Sequence, residues 1–489
     1  MKIMMISAEF SPFAKTGGLA DAVSSLSISL QKLNNDVCVV LPRYYSIDKS
    51  NLTLHKKAMC VAAWNQDVFV DIYKTLFQGV TIYFIDYEKA FGRDGIYGSS
   101  HEPDFYDNPY RFSILCRAAF TLCHTINWYP DVMHSHDWSS ALIPVLLKHY
   151  YRNGFFSKTV SIFSIHNMGY QGKYPLSAFP LLSLDPSLKK AAQIEQNNLI
   201  NLLQAGIFNA DYVTTVSPTY AKEIQTSEGG FGLDGLLRVI NSKLSGILNG
   251  VDTNVWNPEK DTYICKNFSK NDLSNKNECK KFLQQYFNLE INPDKPIFGI
   301  ISRLAEQKGI HELFYPMYGC MYNMCKDFDA QFVVVGKGDK WCEDELNVLQ
   351  AKLPNLKVFI GYNESLSHMV EAGSDFFIMP SRYEPCGLNQ LYSQIYGTIP
   401  IVRNTGGLID TVIPYDKDKE NATGLYIYNQ NPEDIYKCVK FACDLYKNKD
   451  EYKKMQINAM SKDFSWNLSA QNYIKVYNEV LNKFENKQH

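Results

Sequence analysis

Short β-rich runs alternate with helix-length amphipathic stretches through most of the chain, and the alternation restarts near its middle. In the first half "KIMMIS", "DVCVVLP", "DVMHSHDW", "TVSIFSIHN", "DYVTTVS" and "GILNG" are strand-like, with helical periodicity at 19–33, 110–126 and 139–152. After "NPDKP" (292–296) the runs "IFGII", "QFVVV", "KVFIG", "DFFIMP", "IPIVR" and "GLYIY" repeat the pattern. Strand–helix–strand succession builds βαβ units, so each half is predicted to be an α/β, doubly wound, mainly parallel sheet. "DVFVDIYKTLFQGVTIYFID" departs from the pattern and predicts a hairpin. The polar segment 252–295 reads as a junction and an irregular entry. The final helix, 466–485, is expected to pack back onto the first domain. The expected domains are 1–248 with 466–489, and 249–465, crossing over in "NGVDTNVWNP" (249–258).

With 489 residues, 45% hydrophobic and 20% charged, the chain has material for two globular domains. A net charge of -2 without blocks of like charge disfavours a nucleic-acid groove. The twelve cysteines include no CxxC pair and read as reduced, buried thiols of a cytoplasmic protein. The first apolar run ends after five residues and Glu9 follows, which does not fit a signal peptide. No uncharged apolar stretch is long enough to cross a bilayer, so no membrane partner is expected.

In open α/β sheets ligands bind beyond the carboxyl ends of the strands. The chemistry-bearing residues cluster there. "KTGGLAD" (15–21) and "NTGGLID" (404–410) each join a strand to a helix. Gly17 and Gly18, or Gly406 and Gly407 after Thr405, would let an anion approach backbone N–H groups at a helix start, and Lys15 adds a full charge. A tight turn alone would also explain each pair. Asp21 falls in a first helical turn, where the helix dipole favours a carboxylate.

In the second half Arg303 lies just past "IFGII" and Lys308 five residues on, a fork and a compact charge suited to phosphate. "MPSRYEPCGLNQ" places Glu384 before Cys386, Gly387 and Leu388 at a helix start, where amides hold phosphate or hydroxyls and the carboxylate accepts from a polyol. Cys386 lacks a nearby histidine and is read as structural in its side chain. In the first half "HSHDW" sets His134, His136, Asp137 and Trp138 at a strand end, and "IHN" sets His166 at the next. A metal is the minority reading of H-x-H-D, and "DFD" and "DKD" read as solvated, so no metal and no cofactor are expected.

The ordered set KTGGLAD, HSHDW, IHNMGYQG, TVSPTYAKEI, GLDGLL, GILNGVD, SRLAEQKG, SRYEPCGLNQLY and NTGGLIDTV resembles the glycogen and starch synthases of glycosyltransferase family 5 over most of the chain. The resemblance implies a GT-B fold, two facing Rossmann-like domains with a cleft between them. It implies α-1,4 transfer of glucose from ADP-glucose, or UDP-glucose, to the non-reducing end of an α-glucan, with retention. It assigns Arg303 and Lys308 to the diphosphate, Lys15 and Gly18 to the donor from the opposite domain, and Gly406 and Gly407 to phosphate. Asn249 and Glu384 go to glucose hydroxyls, His166 to the reacting sugar, and Tyr362 to stacking on the base. His136, Asp137 and Trp138 lie towards the acceptor. Many relatives outside this family carry a second glutamate eight positions after the first; here that position is Tyr392, so a paired-carboxylate mechanism is not implied. A different GT-B nucleotide-sugar enzyme, an epimerase or a non-catalytic glucan-binding protein remain alternatives. Oligomeric state is open, and a mature plastid chain would read as a cytoplasmic one does.

Overall fold

The computed structural model describes residues 1–63 and 66–488, which fall into two compact units. The first comprises Met1–Gly250 and the final helix Trp466–Gln488; the second is Val251–Ser465. Asn249, expected at the start of the second domain, lies in the first unit.

The first unit is built on β1 (Lys2–Ile6), β2 (Asp36–Pro42), β3 (Thr53–Ala63), β4 (Gln66–Phe77), β5 (Val80–Asp86), β6 (Val132–His136) and β7 (Val160–Ile165). A small antiparallel sheet of β8 (Lys173–Pro175), β9 (Glu195–Gln196) and β10 (Leu199–Asn201) stands apart, and β11 (Tyr212–Thr215) and β12 (Leu244–Gly246) complete the large sheet. Its order is β12-β11-β7-β6-β1-β2-β5-β4-β3. Every pairing from β12 to β5 is parallel, and β5-β4-β3 is antiparallel. The hairpin read from 67–86 is β4-β5. The third antiparallel strand, β3, is a correction: "TLHKKAMCVAA" is largely exposed and polar, so it carries little alternating signal.

The second unit pairs β13 (Ile297–Leu304), β14 (Gln331–Gly338), β15 (Leu356–Ile360), β16 (Phe376–Met379), β17 (Ile399–Arg403) and β18 (Leu425–Ile427) in the order β15-β14-β13-β16-β17-β18, all parallel. Relabelled in chain order this is 3-2-1-4-5-6, the dinucleotide-fold order, in which winding reverses between the first and fourth strands. The parallel part of the first unit reverses in the same way between β1 and β6. Each unit therefore has one switch point: β1/β6 in the first, β13/β16 in the second.

Two further elements differ from the sequence reading. The expected helix 139–152 is a 3-10 turn at Trp138–Ser140, a short helix at Leu142–Leu146 and a wider π turn at Leu147–Tyr151. Pro144 has no N–H to donate to the preceding turn, which breaks the run at its start. Inside 252–295 lies the helix Ser274–Tyr286, whose buried face includes Lys276 and Lys280. Lys276 Nζ donates to the Ala372 carbonyl at 3.0 Å and to Thr398 Oγ1 at 2.8 Å, and Lys280 pairs with Asp375 at 2.8 Å. Lysine stems pack like aliphatic chains while their heads find acceptors, so the core-facing side is written in polar letters.

Candidate active site

In the first unit the chain leaving β1 runs through Glu9, which is 2% exposed. Glu9 Oε2 accepts the N–H groups of Thr16 (2.6 Å) and Gly17 (3.3 Å), and Oε1 accepts the hydroxyls of Thr16 (2.8 Å) and Tyr97 (2.9 Å). One buried carboxylate thus holds the loop that carries the first glycine pair. Sequence reasoning missed it, because a lone glutamate after a strand has no signature until its burial is known. Gly17 caps the helix Gly18–Lys32 in extended backbone, and Lys15 Nζ pairs with Asp21 at 2.8 Å. Both partners are partly exposed, so the pair holds position rather than adding much stability. The Gly17 amide, expected to face a bound anion, donates here to the carboxylate of Glu9.

Across the switch point, β6 ends at His136 and Asp137 follows with φ +56° and ψ -178°. That is backbone territory glycine alone enters freely, and such strain gathers at functional sites. Asp137 Oδ1 accepts the His166 N–H at 2.7 Å. Burial pushes the Asp137 carboxyl up to about 7, against the pull of the His166 and Asn167 amides. His166 follows β7 and is half-buried; desolvation holds its imidazole down at about 4. Its Nε2 lies 3.1 Å from His136 Nδ1. His134 sits beside them, its ring centroid 4.1 Å from that of His136. His134 is bonded on both nitrogens, to Tyr477 OH of the final helix (2.8 Å) and to Ser164 Oγ (2.7 Å). Both of its nitrogens are engaged, so H-x-H-D is not a pair of free metal ligands.

His136 and Trp138, expected towards the acceptor, are both buried. His136 is 1% exposed and lies against His166. Trp138 is 9% exposed, ringed by Phe112, Tyr97 and Tyr174, and a Cβ at Gly172 would sit 2.6 Å from its ring. The indole is thus enclosed by aromatic rings of the first unit. Asn249 follows the edge strand β12 and is half-buried.

In the second unit Arg303 is exposed near the end of β13, with Nη2 3.3 Å from Gln307 Oε1. Lys308 closes the next turn, and Gly309 adopts φ +74° where a Cβ would strike the Pro380 carbonyl at 2.2 Å. Only glycine lets the chain after β13 pass so close to the end of β16. The result is an ion pair across the switch point: Lys308 Nζ lies 2.5 Å from Glu384 Oε2, with both side chains largely buried. Arg382 N–H donates to the Gln307 carbonyl at 2.8 Å and stitches the same two loops.

The Glu384 carbonyl accepts the Gly407 N–H at 3.0 Å. This corrects the expectation that Gly407 contacts phosphate: its amide is engaged by protein, and a Cβ there would lie 2.4 Å from the Cys386 carbonyl oxygen. Thr405 caps the helix Gly406–Thr411, and Gly406 has φ +47°. Gly387, at φ +74°, and Leu388 lead into the helix Asn389–Ile395, and the Cys386 carbonyl accepts Gln390 Nε2–H at 3.0 Å. Tyr362, after β15, presents a ring 77% exposed. Tyr392 stacks at 3.8 Å on Trp256, whose other stacked neighbour is His368, also at 3.8 Å. The position of a second glutamate elsewhere is here part of an aromatic stack that docks the segment after the crossover. No helix among the described residues is long and apolar enough to cross a membrane.

Comparison with known proteins bears on this arrangement. Residues 2–239 match the starch synthase catalytic domain, and residues 282–462 match the glycosyl transferases of group 1. The chain is 51% identical to the glycogen synthase of Treponema denticola over 99% of both chains, and 41% identical to that of Koribacter versatilis over 98% of both. Among solved structures it is similar to the catalytic domain of starch synthase IV from Arabidopsis thaliana bound to ADP and acarbose, with TM-score 0.88, 30% identity, and 98% and 99% of the two chains covered. Two Rossmann-like units of a GT-B fold, strand-end residues at both switch points and full-length identity to glycogen synthases lead to one conclusion: this chain belongs to the glycogen and starch synthases, glucosyltransferases of glycogen and starch synthesis.

Proposed function

We propose that the chain transfers glucose from ADP-glucose to the non-reducing end of an α-1,4-glucan with retention. The observation that carries this reading is the ionic group after β13 and β16: Lys308 paired with Glu384 beside the second glycine pair, and Arg303 held by Gln307 of the adjoining turn. The leaving group is a nucleoside diphosphate, and charge accumulates on it as the glycosidic bond breaks. Fixed cations in a closed site stabilise that charge without reorganising. At about 4 Å a unit charge is worth up to about 4 kcal/mol at an effective dielectric of about 20.

Arg303 and Lys308 take the diphosphate, and Glu384, already held by Lys308, accepts from glucose hydroxyls. Tyr362 stacks on the base, and Thr405, Gly406 and the Cys386–Leu388 turn shape the donor pocket. From the first unit, Lys15 leaves Asp21 to meet the donor, with Gly18 beside it. His166 and Asn249 contact the sugar, and Asp137 borders the acceptor side. The acceptor attacks on the leaving-group face and its proton passes to a phosphate oxygen. The ADP held by the starch synthase relative supports an adenine nucleotide here. The cysteine chemistry supports a reducing, cytoplasmic setting: every cysteine is a free thiol.

The test is turnover with ADP-glucose beside UDP-glucose, glycogen as acceptor, for the wild type and Arg303→Ala. ADP-glucose is expected to be the faster donor, and the variant to lose roughly 2.7–4 kcal/mol of transition-state stabilisation, as when an oxyanion donor is removed. A preference for UDP-glucose would overturn the base assignment, and near-normal turnover in the variant would remove Arg303 from the site.

A further inference from the structure

The histidine pair at the first switch point has an asymmetry that decides where its protons sit. His136 is buried, and its Nδ1 meets His166 Nε2 at 3.1 Å. Its other ring nitrogen, Nε2, is buried with no hydrogen-bond partner among the described residues. A neutral imidazole carries one N–H and one lone pair. If His166 donated across the contact, His136 would accept on Nδ1 and its N–H would be stranded on Nε2. Buried N–H groups without a partner are rare, and an unmet buried donor costs about 1–3 kcal/mol. If His136 donates instead, only a lone pair is left against the core. Both rings are held neutral by desolvation, so a doubly protonated ring offers no escape.

We propose that His136 is a positioning residue that donates from Nδ1 to His166 Nε2 and so locks His166 as its Nδ1–H tautomer. His166 is then a hydrogen-bond donor at its remaining nitrogen over the whole neutral pH range. It offers an N–H to a sugar oxygen and has no lone pair with which to take a proton. This rests on the reading of His166 as the group at the reacting sugar, and it sharpens that role: His166 binds and polarises, and is not a general base. Asp137 adds a second restraint by accepting the His166 backbone N–H, which fixes the residue that bears the ring. His134 packs against the far side of the pair, held by Tyr477 and Ser164, and keeps the His136 ring from turning.

The direct experiment is a long-range ¹H–¹⁵N correlation spectrum of the full-length protein labelled with ¹⁵N-histidine, with the His166 signals identified by their loss in His166→Gln. A pyrrole-type Nδ1 and a pyridine-type Nε2 on His166 are expected at neutral pH; the reverse assignment overturns the proposal. Kinetics give a second measurement. His136→Asn keeps a donor near the Nδ1 position and is expected to stay within about 3-fold of wild-type kcat, on the view that a retained hydrogen bond costs little. His136→Asp offers an acceptor; it is expected to convert His166 to the Nε2–H form in the spectrum and to lower kcat by roughly 10–100-fold with little change in KM, the scale of losing an orienting group. Equal activity in the two variants, with His166 in opposite tautomers, would also overturn it. The spectrum reports the tautomer whether or not the chain turns over ADP-glucose. A correct tautomer with unchanged activity in His166→Gln would sink the sugar-contact reading and leave the proton assignment standing.

Discussion

The two units reverse their sheets in the same way, yet load the reversal with opposite chemistry. At β1/β6 the ring groups are neutral: two buried histidines and the half-buried His166, all with depressed basicity, and an aspartate that burial pushes up to about 7. At β13/β16 the groups form an ion pair, Lys308 with Glu384, and an exposed arginine stands beside them. The glycine pairs repeat the contrast. Gly17 is extended and its amide goes to a side-chain carboxylate, whereas Gly407 packs on Cys386 and its amide goes to a main-chain carbonyl. Equal spelling and equal topology therefore do not imply equal work. A strand end offers a place, and the neighbouring loops decide whether that place holds charge or excludes it.

Acidification should separate the units most. His134 at about 3, His166 at about 4 and His136 well below its usual range are neutral in the folded protein but charge near 6.5 when unfolded. Their contribution is present above about pH 6.5 and is lost as pH falls through about 4, because the unfolded chain binds more protons in that window. Asp137, with its folded value raised, works the other way between about 4 and 7, so two of the three histidine protons remain unbalanced. In the second unit Glu371 is raised to about 8 by burial, so its contribution is full below about 4.5 and is lost as pH rises through 8. Between pH 6.5 and 4.5 the first unit should lose stability on the order of 1 kcal/mol per pH unit for each unbalanced proton, while the second gains. Hydrogen exchange by mass spectrometry, corrected for intrinsic rates, reads each unit separately; a parallel loss in both would erase the contrast.

Next in size is the carboxylate anchor. Glu9→Gln sets an amide N–H₂ against the donors of Thr16, Gly17 and Tyr97, and about 1–3 kcal/mol of stability should go with the unmet bonds. A shifted denaturant midpoint measures it, and an unshifted one would mean that the loop holds itself. The smallest effects test the glycines directly. Gly407→Ala drives a methyl into the Cys386 backbone and should cost about 1–3 kcal/mol. Gly17→Ala meets nothing within 4 Å in an extended backbone and should stay within about 0.5 kcal/mol. Equal melting shifts for the two would show that the loops are equivalent after all.

Much of this was legible from the letters because βαβ periodicity is local. The runs that became β1, β2, β6, β7, β11 and the six strands of the second unit are short and apolar, and the candidate residues stand just after them. What escaped had a nonlocal cause. The helix Ser274–Tyr286 hides its inward face behind lysines whose partners, Asp375 and Thr398, lie roughly a hundred residues away in sequence. Strand β3 is held by pairing with β4 more than by burial of its own side chains. Trp138 and His136 carry the composition of a sugar site, and only the fold shows that both are buried.

By itself the sequence determined the two alternating sheets, the place of the chemistry after their strands and the family of enzyme, since periodicity, turn glycines and ordered motifs are properties of neighbouring residues. Tertiary structure alone decided which of those polar groups are charged, which amides are already engaged by Glu9 or by the Glu384 carbonyl, and which histidine nitrogen is left without a partner. Ionisation and hydrogen bonding depend on solvent access and on groups far away in the chain, and neither quantity exists until the chain has folded.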